Sequence, residues 1–104
     1  MIDNFGTFDS AVTFYRSSRS IILPSHLKDQ FDRAASSIVL NLAEGAGRTG
    51  RADSARFFSI AMGSVRECQA ILDLSTTDQS EAVHQADSLA AHLYRLLQGC
   101  RKMR

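Results

Sequence analysis

The stretch Leu27–Arg51, LKDQFDRAASSIVLNLAEGAGRTGR, admits two readings, and the choice between them decides the fold. In its last eight residues, Gly45, Gly47 and Gly50 spell G-x-G-x-x-G, the fingerprint of a dinucleotide-binding turn. That turn needs a strand before the glycines and an acid about 20 positions on, at the end of a second strand. Here Leu27, Phe31, Ala34, Ile38 and Leu42 step by four, three, four and four instead, a single apolar stripe on a helix. Asp73 stands at about the right distance, but it ends a helical pattern. A phosphate-binding Walker loop is excluded as well, because no lysine follows the glycines. The loop therefore reverses the chain between two helices. Gly45 or Gly47 is the expected stop of the first helix. Gly50 or Thr49 is the expected N-cap of the next. Glycine suits such a turn because it reaches positive φ at no steric cost.

The same periodicity recurs on both sides. Upstream, Phe8, Val12, Tyr15 and Ile22 mark a helix over residues 8–22, which Pro24 should stop. Ser25 is then the expected N-cap of the second helix, residues 26–44. Downstream, residues 52–74 carry Phe57, Phe58, Ala61, Val65, Cys68 and Leu72 on one stripe. Ser64 within that helix suggests a close approach by a neighbour. Gly63 falls on the opposite face and costs about 1 kcal/mol against alanine, so it answers a packing or assembly need. After the polar turn Ser75-Thr76-Thr77-Asp78, residues 79–102 place Ala82, Ala86, Leu89, Leu93, Leu96 and Cys100 on a heptad-like seam. No period-two strand pattern and no internal repeat occur. The expected fold is a single all-α domain over residues 1–104, an antiparallel up-down-up-down four-helix bundle.

Composition narrows function mainly by exclusion. A net charge of +1 is no generic polycation, so any contact with nucleic acid must use a local patch. Cys68 and Cys100 sit in helical patterns without a C-x-x-C pair, which reads as two buried thiols in a reducing compartment, with no disulfide and no metal. There is no leader-like start and no apolar run near the roughly 18 residues that span a bilayer, so a cytoplasmic protein without membrane contact is expected. His26, His84 and His92 have no acid and nucleophile arranged as a triad. Glu81-Ala82-Val83-His84 matches the E-x-x-H spacing of di-iron bundles once, where such a site needs two copies. The expectation is a protein without enzymatic activity, cofactor or small-molecule substrate.

Two polar positions on the second helix stand out. Asn41 lies about 20° from Ala34 around the helix, at the edge of the apolar stripe, where a half-buried amide needs partners. Gln30, Ser37 and Asn41 form a polar row there, flanked by Arg33 and Glu44. Glu44 faces the negative end of its helix dipole and calls for a compensating cation, Arg48 or Arg51, or the free N–H groups that open the third helix. Asn41 and Glu44 either lock the loop to neighbouring helices or meet a ligand or subunit.

The runs Gln30-Phe31-Asp32-Arg33-Ala34-Ala35-Ser36-Ser37-Ile38, Asn41-Leu42-Ala43-Glu44-Gly45 and Gly47-Arg48 resemble the four-helix-bundle proteins of the 23S rRNA intervening sequence family. The aromatic pair Phe57-Phe58 and the segment Ala61-Met62-Gly63-Ser64-Val65-Arg66-Glu67 extend the resemblance, which covers residues 8–100. Departures occur at Asp32, where a basic residue is common, at Val39, where proline is common, and at Gly50, where serine usually builds a capping box with the acid kept here as Asp53. Asp32 weakens any basic surface on the second helix. The resemblance implies a homo-oligomeric ring, typically a pentamer, an association with rRNA genes, and nucleic-acid binding in one related group. It implies no enzymatic activity.

In such a bundle Arg48, Arg51 and Arg56 gather at one end with Arg101, Lys102 and Arg104. Asp3, Asp9, Glu44 and Asp53 temper that end, while Asp29, Asp32, Asp73, Asp78 and Glu81 fall toward the other. Repeated around a ring, the basic end would form a phosphate-binding rim. No aromatic platform for base stacking stands out, so contact should favour the nucleic-acid backbone. Ile60, Met62, Ile71, Tyr94 and Leu97 exceed what one bundle needs to bury and point to subunit contacts. The expected function is self-association with binding of structured RNA, or of a ribonucleoprotein partner, at the arginine end. The alternative is a scaffold module that binds protein only.

Overall fold

In a computed structural model, which describes residues 5–75 and 77–102 (the side chains of 5 and 102 apart), the chain forms four helices. They are α1 (Phe5–Ser18), α2 (Ser25–Ala46), α3 (Arg51–Leu74) and α4 (Ser80–Lys102). No strand occurs among the described residues. Each helix packs on two others, α1 on α2, α2 on α3, α3 on α4 and α4 on α1. As α2 is followed forward its partners on α3 come in reverse order, Ser37 meeting Ser64 and Gly45 meeting Phe58. The same holds between α1 and α4, where Ser10 meets His92 and Ser17 meets Gln85.

The apolar stripes of α2, α3 and α4 form the core. Phe31, Ala34, Ile38 and Leu42 are buried, as are Phe58, Ala61, Val65, Cys68 and Leu72, and all six seam residues of α4. Phe14 and Phe31 pack as tilted rings 5.8 Å apart, a geometry that sets the positive edge of one ring toward the negative face of the other. Ile71 and Leu97 are 4% and 7% exposed, so they belong to this core and not to a surplus. Each helix of the ring has two neighbours, which widens its buried arc beyond a narrow seam.

Helix α1 departs from expectation in phase and length. Its buried row is Thr7, Ala11, Phe14 and Ser18. Phe8 and Tyr15 only flank that row, and Ile22 is 79% exposed. The helix ends at Ser18, well before Pro24. Serine hydroxyls compete here for backbone carbonyls, Ser17 donating to Phe14 O at 3.2 Å and Ser18 to Tyr15 O at 2.8 Å. Lys28 of α2 then closes the end, its Nζ reaching the carbonyls of Ser18 and Arg19 at 3.0 and 3.3 Å while pairing with Asp32 at 2.9 Å. A cation at a helix C-terminus meets both the orphan carbonyls and the negative pole. Pro24, not Ser25, caps α2, and its carbonyl accepts from the N–H groups of Leu27 and Lys28 at 2.9 Å. Ser25 is the first helical residue, and α2 has no side-chain cap.

The glycine loop is a helix-to-helix turn, but its glycines serve other ends than positive φ, which no described residue adopts. Gly47 caps α2 with φ −84°, its N–H shared between Ala43 O and Glu44 O. Gly50 caps α3 in an extended conformation, and its carbonyl accepts from Ser54 N at 2.9 Å. Gly45 stops nothing. It lies inside α2, buried, and a Cβ there would stand 2.6 and 2.8 Å from ring carbons of Phe58 and 3.1 Å from Ser54 O. Glycine is required because α2 and α3 touch at this point.

Candidate functional site

Two polar clusters lie along the α2–α3 contact. In the first, Asn41 donates through Nδ2 to the Ser37 carbonyl at 2.9 Å and to Ser37 Oγ at 3.0 Å, and Ser64 Oγ of α3 donates to the same Oγ at 2.9 Å. All three side chains are half-buried. Each finds partners inside the fold, as partly buried polar groups must. Ser64 thus supplies the close helix contact, and Asn41 serves it.

In the second cluster, at the loop, Arg48 Nη2 donates to Glu44 Oε2 at 2.6 Å, and its Nε lies 3.6 Å from Asp53 Oδ2. Arg56 donates to Asp53 Oδ1 at 2.9 Å from Nη2 and 3.2 Å from Nε. Both guanidinium groups also lie over the Phe57 ring, Arg48 at 4.7 Å and Arg56 at 4.4 Å from its centroid. Such stacking adds roughly 0.5–1 kcal/mol at exposed sites. Two arginines and two carboxylates cancel in formal charge, so this cluster answers the dipole problem of Glu44 and contributes little net field. The role of Phe57 as a guanidinium platform was not legible beforehand. The i+1 and i+9 spacings from Arg56 and Arg48 gain meaning only once the loop folds back.

Arg51 and Arg101 stand apart from that neutral cluster. Both are exposed, and neither makes an ion pair among the described residues. Burial pushes the Cys100 thiol up from its ordinary value, while the nearby charges of Arg51 and Arg101 pull it down, so the two arginines share one end of the molecule. The side chain of Lys102 and all of Arg104 lie outside the described residues. Cys68 is buried, and burial, with help from Glu67 and Asp32, pushes its thiol up to about 12. It stays protonated and inert, since the thiolate is the reactive form. His26 and His84 are exposed and His92 is half-buried, 3.5 Å from Ser10 Oγ. No group of three or more His, Cys, Asp or Glu suited to a metal ion occurs among the described residues. No helix there is long and apolar enough to cross a membrane.

The outward face of the α2–α3 pair carries the remaining anomalies. Leu40 is 66% exposed and Ile60 44%. Each falls between the Ser37–Ser64 and Gly45–Phe58 contacts along its helix, so the two lie at a common height. Gly63, one turn from Ile60, is exposed, and a Cβ there would meet nothing within 4 Å. Leu40 escaped notice in the sequence, although it sits 200° around the helix from both Ile38 and Leu42 at about 100° per residue.

Residues 8–102 match the 23S rRNA-intervening sequence protein family. The chain belongs to this family. No curated protein matches it. The residues of the 23S rRNA-intervening sequence pattern fall into two sets. Ser37, Gly45 and Ser64 bind α2 to α3, Asn41 holds Ser37 from within α2, and Glu44 and Gly47 fix the loop between them through Arg48 and the helix cap. Gln30, Arg33, Gly63 and Glu67 are exposed, and among the described residues no side-chain hydrogen bond or ion pair involves their side chains.

Proposed function

We propose that the chain is a non-enzymatic, cytoplasmic, up-down-up-down antiparallel bundle that assembles with further copies of itself and binds RNA at its arginine end. The observation that carries assembly is Gly63. Glycine in mid-helix costs about 1 kcal/mol against alanine, and no contact within the chain recovers that cost. A second chain approaching closely would recover it, and the exposed Leu40 and Ile60 beside it supply apolar area for that contact. A closed ring, with five copies as the family resemblance implies, repeats one end of the bundle around a rim.

RNA contact rests on Arg51 and Arg101, with Lys102 and Arg104 beyond them in sequence. Arg48 and Arg56 support it less, because Glu44 and Asp53 already pair with them. A filter-binding titration against RNA at several salt concentrations tests this. Wild type is expected to bind more weakly as salt rises. The Arg51→Ala/Arg101→Ala double variant is expected to lower the slope of log K against log salt by about 1.4–1.8, because two phosphates are no longer neutralised. Absence of binding at low salt would leave assembly as the sole function, the scaffold alternative.

A further inference from the structure

Along the contact of α3 with α4 runs an open groove of about 410 Å³, lined in part by Ala90 and Ala91. Arg66 of α3 and Tyr94 and Arg95 of α4 line it. Tyr94 is 55% exposed. Its hydroxyl accepts from Gln98 Nε2 at 2.7 Å, which holds the ring in place on the helix surface. An aromatic platform, which no sequence pattern announced, is therefore present here.

The charge in this groove is available. Arg66 Nη1 donates to Gln69 Oε1 at 2.9 Å, and Gln69 Nε2 donates onward to Asp87 Oδ1 at 2.8 Å. Arg66 is thus steadied by a neutral amide, and Asp87, the one carboxylate lining the groove, is held by that amide instead of by a cation. Arg95 makes no ion pair or side-chain hydrogen bond among the described residues. Arg101 lies seven residues beyond Tyr94, within about 20° on the same helix face and about 10 Å further along. Arg51 opens α3 and Arg101 stands near the end of α4, so the groove leads toward the end of the molecule they share.

We infer that this groove holds an unpaired stretch of RNA, one base stacked on Tyr94 and phosphates on Arg66 and Arg95, the strand continuing to Arg51 and Arg101. This rests on the RNA binding proposed above and names its path and its stacking residue. A flexible acidic peptide would satisfy the arginines but would leave the ring unused, whereas every base has a face for it.

The test is fluorescence anisotropy with a short labelled single-stranded RNA. Tyr94→Ala is expected to weaken binding about tenfold, the loss typical of one stacked base. Tyr94→Phe keeps the ring and is expected to bind as wild type does. Arg66→Ala/Arg95→Ala is expected to reduce the salt slope by about 1.4, as two phosphates of a single strand go unneutralised. The chain has two tyrosines and no tryptophan, so RNA should quench tyrosine emission in wild type but not in Tyr94→Phe. These side chains are exposed, and circular dichroism will check that the variants keep their helices. Wild-type affinity in both Tyr94→Ala and Arg66→Ala/Arg95→Ala, with weakening confined to Arg51→Ala/Arg101→Ala, overturns the groove and leaves RNA binding standing. No binding by wild type at low salt overturns both. A polyglutamate peptide that binds more tightly than the RNA overturns the groove in favour of an acidic protein partner.

Discussion

Gly45→Leu is expected to cost about 3 kcal/mol or more, a large part of the 5–15 kcal/mol that holds a typical domain together. The reason is steric. Even a lone Cβ at this position would stand 2.6 Å from the Phe58 ring and 3.1 Å from the Ser54 carbonyl, and neither can retreat, because Phe58 is 1% exposed and Ser54 lies in the first turn of α3. Gly45→Ala is the sharper probe. Inside a helix with no helix contact nearby, alanine in place of glycine adds about 1 kcal/mol of stability. Here overpacking should outweigh that gain, and the variant should unfold at lower urea than wild type. A rise in the urea midpoint would mean that α2 and α3 do not touch at Gly45.

Phe58→Ala is expected to cost about 3–5 kcal/mol, because it removes a fully buried ring from the junction of α2 and α3 and leaves a cavity. The two positions should also be coupled. Gly45→Ala is expected to be clearly less destabilising once Phe58 is alanine, since the two ring carbons it strikes are gone and only the Ser54 carbonyl at 3.1 Å remains. Urea denaturation of the four proteins in this cycle measures the coupling. Strict additivity would contradict the contact.

How far the fold was legible depended on what each helix buries. Helices α2, α3 and α4 bury large apolar residues at regular spacing, so periodicity alone located them. Helix α1 buries Thr7, Ala11 and Ser18 around a single large residue, Phe14, and its larger apolar residues sit on the flank. A pattern read by hydrophobicity therefore takes the wrong phase. Its end was misplaced because a lysine ten residues past Ser18 closes it, a contact no local motif announces. Gly45 was visible as a glycine but not as a contact point. Turn and close approach call for the same residue, and only the position of Phe58 separates them. The arginine end was legible as a cluster but not as a balance of charge. Glu44 was expected to find Arg48, Arg51 or the free N–H groups that open α3, and its partner is Arg48. The capture of Arg56 by Asp53 is a local i,i+3 pair within α3, whereas the contacts of Arg48 with Asp53 and Phe57 depend on the return of the chain at Gly50.

Assembly through the exposed face of α2 and α3 turns on Leu40, Ile60 and Gly63. Leu40 and Ile60 are 66% and 44% exposed and a Cβ on Gly63 would meet nothing within 4 Å, so each carries a cost in isolation, apolar area in water for two and helix propensity for the third. Sedimentation velocity of wild type beside the Leu40→Glu/Ile60→Glu double variant decides whether a second copy covers them. Wild type at micromolar concentration is expected to sediment as a multiple of the 11.4 kDa chain, and the double variant as a single chain with unchanged helical circular dichroism. A wild-type protein that sediments at 11.4 kDa across that range would contradict assembly, and a double variant that stays multimeric would contradict the face assigned to it.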